Sequence, residues 1–218
     1  MADLTGKVEL TYRERPAHEH ADGLLILHHG RGGDCLDLQE LGDILDRTRR
    51  LHVVTPEGPL KLPGVRGHHW FATDLAGQPE HETFESTYEL LGRLHEHLWE
   101  ATGIPPERTV IGGFSTGGVM AYALGLGADR PRPAGIIAFS AAIPTVEGWE
   151  PDLESRHGMP VFIVHGRGDK VLSINLAHCA RTELEEAGLD VTYVENAAGH
   201  QIDQRSLGPA IGWLAGTV

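Results

Sequence analysis

Residues 109–121 read TVIGGFSTGGVMA, and this stretch decides the fold. Its β-branched start predicts a short buried strand, and the residues after Gly118, which include no proline, predict a helix. Ser115 lies between them in a G-x-S-x-G pattern, which is typical of a strained strand-to-helix turn that exposes a nucleophilic hydroxyl. Gly113 and Gly117 leave room for the backbone around that turn. The alternative is a glycine-rich loop with a bystander serine, and the partners found farther along the chain favour the first interpretation.

Short apolar segments alternate with longer segments of helical periodicity along the chain. The predicted strands are residues 8–12, 23–27, 51–55, 109–112, 134–139, 161–165 and 191–195. The predicted helices are residues 36–48, 83–102, 115–126, 173–187 and 201–214. This alternation, with continuously apolar inner strands, indicates an α/β fold whose mostly parallel sheet has helices on both faces. No linker-like segment divides the chain, so residues 1–218 are predicted to form a single domain without a large lid.

Reactive side chains follow the carboxyl ends of three predicted strands. Ser115 follows the fourth strand, Asp169 follows the sixth, and His200 follows the seventh. In a parallel sheet these ends share one edge, and ligands bind outside that edge. Serine, then aspartate, then histidine is also the chain order of the catalytic triad in one large class of hydrolases. The sequence therefore predicts a triad at this edge of the sheet.

The three residue types suit nucleophilic attack on a carbonyl group. A serine hydroxyl needs a base to take its proton, and a neutral imidazole such as that of His200 does this near neutral pH. A buried carboxylate, predicted to be Asp169, fixes the imidazole tautomer and stabilises the imidazolium. Backbone N–H groups stabilise the oxyanion of the tetrahedral intermediate, and we predict those of Arg31 and Thr116 for this role.

Each assignment has a competitor. Asp169 also fits the role of a turn residue, since Gly-Asp pairs are common in turns. Asp203 is the rival acid, but three residues after His200 it is predicted to lie on the same helix and to point elsewhere. The pairs His28-His29 and His68-His69 suggest a metal site, which we disfavour because adjacent residues seldom converge on one ion. No metal and no other cofactor are therefore predicted.

Composition argues against nucleic-acid and membrane partners. The 218 residues carry a formal net charge of -13 at pH 7 without a basic run, whereas nucleic acids and anionic membranes attract clustered lysine and arginine. The longest aliphatic run, residues 24–27, is far too short to insert stably across a bilayer. Two cysteines, Cys35 and Cys179, and a start unlike a signal peptide favour a cytoplasmic location with reduced thiols. The oligomeric state is open, and a homodimer is one alternative.

Taken together, the motifs resemble the phospholipase/carboxylesterase family of small α/β-hydrolases, which includes bacterial carboxylesterases and acyl-protein thioesterases. The matching segments are residues 27–33 (LHHGRGG), 56–59 (PEGP), 70–71 (WF), 113–118 (GFSTGG), 165–171 (HGRGDKV) and 199–200 (GH). The resemblance implies an α/β-hydrolase fold and a cofactor-free Ser–His–Asp esterase without a large lid. Thr116 stands where the family often has glutamine, and this departure leaves the chemistry intact and the substrate open.

Two long loops are predicted to lie at the carboxyl edge of the sheet and to line an acyl pocket. They are residues 61–81 and residues 143–157. The candidate pocket residues are His29, Trp70, Phe71, Ile143 and Val171. Each aromatic side chain among them fits ordinary core packing equally well. The roles of His28 and Cys35 are left open by the sequence.

We therefore expect a serine hydrolase that cleaves a small-molecule carboxylic ester with a small to medium acyl chain through an acyl-enzyme intermediate. An acyl thioesterase or a lysophospholipase is the nearest alternative, because the same triad cleaves those substrates. A non-catalytic receptor for a small molecule is a further alternative, and the complete set of triad residues argues against it.

Overall fold

Seven strands form one sheet in the computed structural model, which describes residues 10–74 and 78–218. They are β1 (Tyr12–Arg15), β2 (Gly23–His28), β3 (Leu51–Pro56), β4 (Thr109–Phe114), β5 (Gly135–Phe139), β6 (Pro160–Gly166) and β7 (Asp190–Asn196). Their spatial order is β1-β3-β2-β4-β5-β6-β7. β1 is antiparallel to β3, and every other neighbouring pair is parallel. The prediction of a mostly parallel sheet is confirmed.

Helices cover both faces of the sheet. They are α1 (Gln39–Leu45), α2 (His81–Thr102), α3 (Thr116–Leu126), α4 (Ile174–Glu186) and α5 (Leu207–Thr217). Side chains of β2 alternate between the faces, so that Leu24 and Ile26 join the core with α2, α3 and α4, while Leu25 and Leu27 join the core with α1 and α5. Each such side chain is fully buried and contributes roughly 1.5–3 kcal/mol relative to an exposed position. Burial on both faces explains why the inner strands carry continuous apolar runs rather than alternating apolar and polar residues.

The first strand differs from the prediction for residues 8–12. It spans Tyr12–Arg15 and pairs with β3 in a register that opposes Tyr12 to Pro56, and residues 1–9 lie outside the described part of the chain. It is an edge strand with charged, half-exposed side chains, so a search for apolar runs overlooks it.

The first helix is shorter than the predicted range of residues 36–48. Before it, the Asp34 carboxylate accepts a hydrogen bond from the Leu36 amide at 2.7 Å and holds a turn. After it, the Asp46 carboxylate accepts a hydrogen bond from the Leu51 amide at 2.9 Å, where β3 begins. Side chains that bind nearby backbone amides compete with helix formation, so these two aspartates set the ends.

The last helix also starts later than the prediction of residues 201–214. A short 3-10 turn over Gln204–Ser206 precedes α5, and the Asp203 carboxylate accepts a hydrogen bond from the Arg205 amide at its start.

Within the described residues, no helix combines the length and the apolar character needed to cross a bilayer. The described part also contains no large lid between β5 and β6, where only irregular chain connects the two strands.

Candidate active site

Ser115 occupies the turn between β4 and α3 in a strained backbone conformation, with φ 55° and ψ −122°. Its amide donates a hydrogen bond to the carbonyl oxygen of Phe139 at 2.9 Å, which ties the turn to β5. A Cβ atom on Gly113 would overlap the backbone of Gly117, and a Cβ atom on Gly117 would overlap the carbonyl oxygen of His28. Both glycines are therefore required for this turn, which is the strand–turn–helix unit indicated by the sequence.

The three predicted triad residues are brought together at the carboxyl edge of the sheet. His200 Nε2 lies 2.8 Å from Ser115 Oγ, and His200 Nδ1 lies 2.7 Å from Asp169 Oδ2. Because a carboxylate only accepts hydrogen bonds, Nδ1 carries the proton, and Nε2 is free to accept from the hydroxyl. The ring of Phe114 packs against the imidazole with centroids 4.9 Å apart and restricts its orientation.

The side chain of Asp169 is fully buried and held by several donors. Its Oδ1 accepts hydrogen bonds from the amides of Val171 at 2.8 Å and Leu172 at 2.9 Å. Burial alone raises the pKa of Asp169, but the hydrogen bonds from His200 and from the two amides outweigh burial and hold the pKa below its ordinary value. The carboxylate is therefore ionised at neutral pH and faces the protonated side of the imidazole.

Asp203, the rival acid, lies apart from this relay. Its carboxylate pairs with the guanidinium of Arg205 at 2.7 Å and caps the 3-10 turn. His200 precedes that turn, in irregular chain, so the prediction that both residues share a helix is wrong. The reason is the capping interaction, which starts the helical structure only after Asp203.

Arg31 and Thr116 line the same cleft as Ser115 and His200. In the described part of the chain, neither amide has an acceptor, whereas the neighbouring amide of Gly32 donates to the carbonyl of His68 at 3.0 Å. Thr116 is the first residue of α3, where amides lack intrahelical partners and the helix dipole favours negative charge. Two free amides beside a serine hydroxyl form a site suited to an oxyanion.

His29 and Trp70 brace the loop that carries Arg31. His29 Nδ1 donates a hydrogen bond to the carbonyl of Gly30 at 2.7 Å, and its Nε2 accepts from the Gly58 amide at 3.0 Å. Trp70 Nε1 donates to the carbonyl of His29 at 2.7 Å. Both side chains are buried, and the structure places neither of these predicted pocket residues in the lining of the cleft. Their polar atoms are engaged in holding backbone together beneath the cleft.

The cleft above Ser115 has a volume of about 640 Å³. Of the predicted pocket residues, Phe71, Ile143 and Val171 line it, and the Val171 side chain is 68% exposed at its edge. Sequence reasoning missed the apolar lining residues Leu38, Val119, Leu172 and Leu176. Leu38 and Leu176 come from the starts of helices, for which a rule based on strand ends gives no signal.

The adjacent histidines that suggested a metal site have separate roles. His28 Nδ1 donates to the carbonyl of Gly112 at 2.8 Å and links β2 to β4 below the serine, while His68 Nδ1 lies 2.9 Å from the carbonyl oxygen of Gly58. Across residues 10–74 and 78–218, no three histidine, cysteine, aspartate or glutamate residues are grouped to hold a metal ion. Cys35 is buried near the cleft, and burial raises the pKa of its thiol.

The buried histidines predict an acid-sensitive fold. Burial lowers the pKa of His28 from 6.5 to about 4, and burial lowers the pKa of His95 well below its ordinary value. As the pH falls, the histidines of the unfolded chain therefore bind protons that the folded chain excludes. The free energy of unfolding is highest above the pKa of an unfolded histidine and falls as the pH drops towards the lower pKa of the folded one. His28 alone should remove about 2 kcal/mol from the free energy of unfolding between about pH 7 and 5.

Urea unfolding at both pH values checks this expectation. His28→Asn keeps a side-chain donor for the Gly112 carbonyl but cannot titrate, so the loss of stability on acidification should shrink in this variant. His20 is exposed, so His20→Asn should retain the wild-type loss. An unchanged pH dependence in His28→Asn would show that this histidine is not buried in its neutral form.

Comparisons with known proteins agree with this architecture. Residues 14–217 match the model of the family described as phospholipase/carboxylesterase. Acyl-protein thioesterase 1 of Yarrowia lipolytica is 26% identical over an alignment 218 positions long, which covers 91% of this chain and 93% of that protein. The crystal structure of esterase PE8 has a TM-score of 0.80 and 29% identity, and the match covers 96% of this chain and 99% of that chain.

The carboxylesterase of Bacillus cereus has a TM-score of 0.84 with 22% identity, and the match covers 97% of this chain and 96% of that chain. At this identity the likeness concerns the fold. The family model, in contrast, spans nearly the whole chain. The protein therefore belongs to the phospholipase/carboxylesterase family and is an ester hydrolase with the α/β-hydrolase fold.

Proposed function

We propose that the protein is a serine hydrolase in which Ser115 is the nucleophile, His200 the general base and Asp169 the orienting acid. Ser115 Oγ bonds to the carbonyl carbon of the ester while its proton passes to His200 Nε2, and the carbonyl oxygen becomes an oxyanion. Collapse of this intermediate breaks the bond to the alcohol, which takes the proton from His200 and leaves an acyl-enzyme. Water then repeats both steps and releases the acid.

The continuous hydrogen-bonded relay from Asp169 through His200 to Ser115 is the observation that supports this proposal most strongly. It leaves Nε2 as the proton acceptor, while the ionised carboxylate stabilises the imidazolium that forms during attack. Ser115 is 6% exposed, so the nucleophile is shielded but lies in the cleft that the substrate enters.

We propose the amides of Arg31 and Thr116 as the oxyanion hole. Preorganised N–H donors in a site with little water stabilise developing negative charge without reorganisation. The bracing of the Arg31 loop by His29 and Trp70 supports this role, because it fixes the loop from below. The Arg31 side chain donates a hydrogen bond to Thr73, with Nη1 3.4 Å from Oγ1.

We propose carboxylic esters of small to medium acyl chains as substrates. The cleft has apolar walls from Phe71, Ile143 and Val171, and its volume suits a short acyl chain together with an alcohol group. Each buried methylene contributes about 0.8 kcal/mol, so kcat/KM should rise roughly fourfold per added carbon until the cleft is filled.

An acyl thioesterase is the second candidate, since the relative from Yarrowia lipolytica is an acyl-protein thioesterase. A lysophospholipase is a further alternative, because the same triad cleaves its substrates.

We also propose a cytoplasmic, cofactor-free enzyme whose chain forms a single domain, does not bind nucleic acid and does not insert stably into membranes. A homodimer remains an alternative to a monomer.

A matched series of p-nitrophenyl esters and thioesters, with acyl chains from acetyl to palmitoyl, tests the substrate proposal. We expect kcat/KM for the esters to pass through a maximum at short to medium chains and then to fall. A preference for long-chain thioesters would select the second candidate. Absence of hydrolysis of every ester and thioester in the folded protein would refute the proposed enzymatic function.

A further inference from the structure

His165 is a fully buried histidine beside the proposed catalytic acid, at the carboxyl end of β6. Its Nε2 lies 2.9 Å from the carbonyl oxygen of Leu172 and 3.4 Å from Asp169 Oδ2. Because a carbonyl oxygen only accepts hydrogen bonds, Nε2 carries a proton and donates a hydrogen bond to Leu172, while the Asp169 carboxylate lies within ion-pair distance. Asp169 is therefore contacted by two imidazoles, those of His165 and His200.

The chain after β6 folds back on Asp169 and is closed by the same histidine. Asp169 Oδ1 accepts from the amides of Val171 and Leu172, while the carbonyl of Leu172 accepts from His165. His165 thus holds the turn at Leu172 and contacts the carboxylate of Asp169, where the turn begins. Movement of Leu172 would withdraw two of the donors that hold Asp169 in place.

The other nitrogen of His165 indicates that packing alone does not explain this residue. Nδ1 is buried and has no hydrogen-bond partner among the described residues. A buried polar atom without a partner is destabilising, and an apolar ring of similar size would avoid that penalty. A histidine in this position is therefore best explained by the proton on its Nε2.

We propose that His165 is a positioning residue for the triad: its Nε2–H holds the Leu172 carbonyl, and this fixes the turn whose amides keep the Asp169 carboxylate in register with His200. The proposal rests on the proposed function, because it assigns His165 an effect only through Asp169. His165 does not line the cleft, so it affects turnover by orienting Asp169 and His200 rather than by contacting substrate.

His165→Phe removes the donor and keeps a ring in the cavity. We expect kcat for ester hydrolysis to fall by roughly twofold to tenfold, the range for loss of one hydrogen bond to a neutral group. KM should change little, because the cleft is untouched. The thermal midpoint should also change little, because loss of the bond to Leu172 is offset by removal of the unpartnered Nδ1.

Two further variants separate positioning from a general structural effect. His165→Gln places an amide N–H close to the position of Nε2 and should restore most of kcat. His178→Phe is the matched control, because it makes the same change in a histidine that pairs with Glu195 at 2.8 Å outside the cleft, and its kcat should equal that of the wild type. Wild-type kcat in folded His165→Phe would overturn the proposal, and so would failure of His165→Gln to restore turnover.

A double-mutant cycle tests whether the effect passes through Asp169. In an Asp169→Asn background, His165→Phe should lower kcat much less than it does in the wild type. Independent, multiplicative losses would contradict the proposal. If Asp169→Asn alone retains wild-type turnover, the proposed triad fails. If Asp169→Asn is slow and His165→Phe is fast, only the role of His165 fails.

Discussion

Replacing Ser115 with alanine is expected to lower kcat for ester hydrolysis by about 10⁴–10⁶-fold, as loss of a triad nucleophile does in other enzymes. The variant lacks the oxygen that attacks the carbonyl, and His200 then has no hydroxyl to deprotonate. The cleft and the free amides of Arg31 and Thr116 remain, so binding and some residual rate enhancement should persist. Initial rates with an activated ester, together with a thermal unfolding curve, measure the effect.

Ser140→Ala is the matched control for this substitution. Ser140 follows β5 at the same edge of the sheet and has a similar backbone conformation, with φ 48°. It does not line the cleft, and kcat in this variant should stay near the wild-type value. Turnover above a tenth of the wild-type rate in Ser115→Ala would exclude Ser115 as the nucleophile.

Asp169→Asn is expected to lower kcat by roughly 10⁴-fold, the loss seen when the orienting acid of a triad becomes an amide. An asparagine oxygen can still accept from the amides of Val171 and Leu172, so the turn and the fold should persist. Its NH₂ group can face His200 only as a donor, which favours the tautomer with the proton on Nε2. That tautomer cannot accept the proton of Ser115.

Asp203→Asn is the control, because it makes the same chemical change in the other candidate acid. It weakens an ion pair with Arg205, whose side chain is largely exposed, and such pairs contribute little to stability. Activity and thermal midpoint should both remain close to those of the wild type. A severe loss in Asp203→Asn together with a mild loss in Asp169→Asn would show that the acids have been assigned the wrong way round.

The parts of the site that could be predicted from sequence are those fixed by topology. Parallel strands deliver their following residues to one edge, so the apolar pattern and the types of Ser115, Asp169 and His200 were sufficient to expect them near one another. The turn at Ser115 was predictable for a local reason, since glycine is the only residue type that fits the close backbone contacts at Gly113 and Gly117.

The supporting contacts could not be predicted, because they join side chains to backbone groups far away in the chain. His29 accepts from the Gly58 amide, and Trp70 donates to the His29 carbonyl, across 29 and 41 residues. No periodicity marks such bonds, so the sequence predicts a pocket position for both residues on the grounds of their loops alone. The ends of α1 and α5 were missed for a related reason, because Asp46 and Asp203 cap the backbone there.

Labelling with a fluorophosphonate tests the central claim most directly, since such a probe reacts with a serine activated by a neighbouring base. Intact-mass analysis and peptide mapping of the labelled wild-type protein should find one adduct, on Ser115, with loss of esterase activity in proportion to labelling. Ser115→Ala should remain unlabelled, and Asp169→Asn should react much more slowly. An adduct on another serine that abolishes activity, or full inactivation without an adduct on Ser115, would contradict the account.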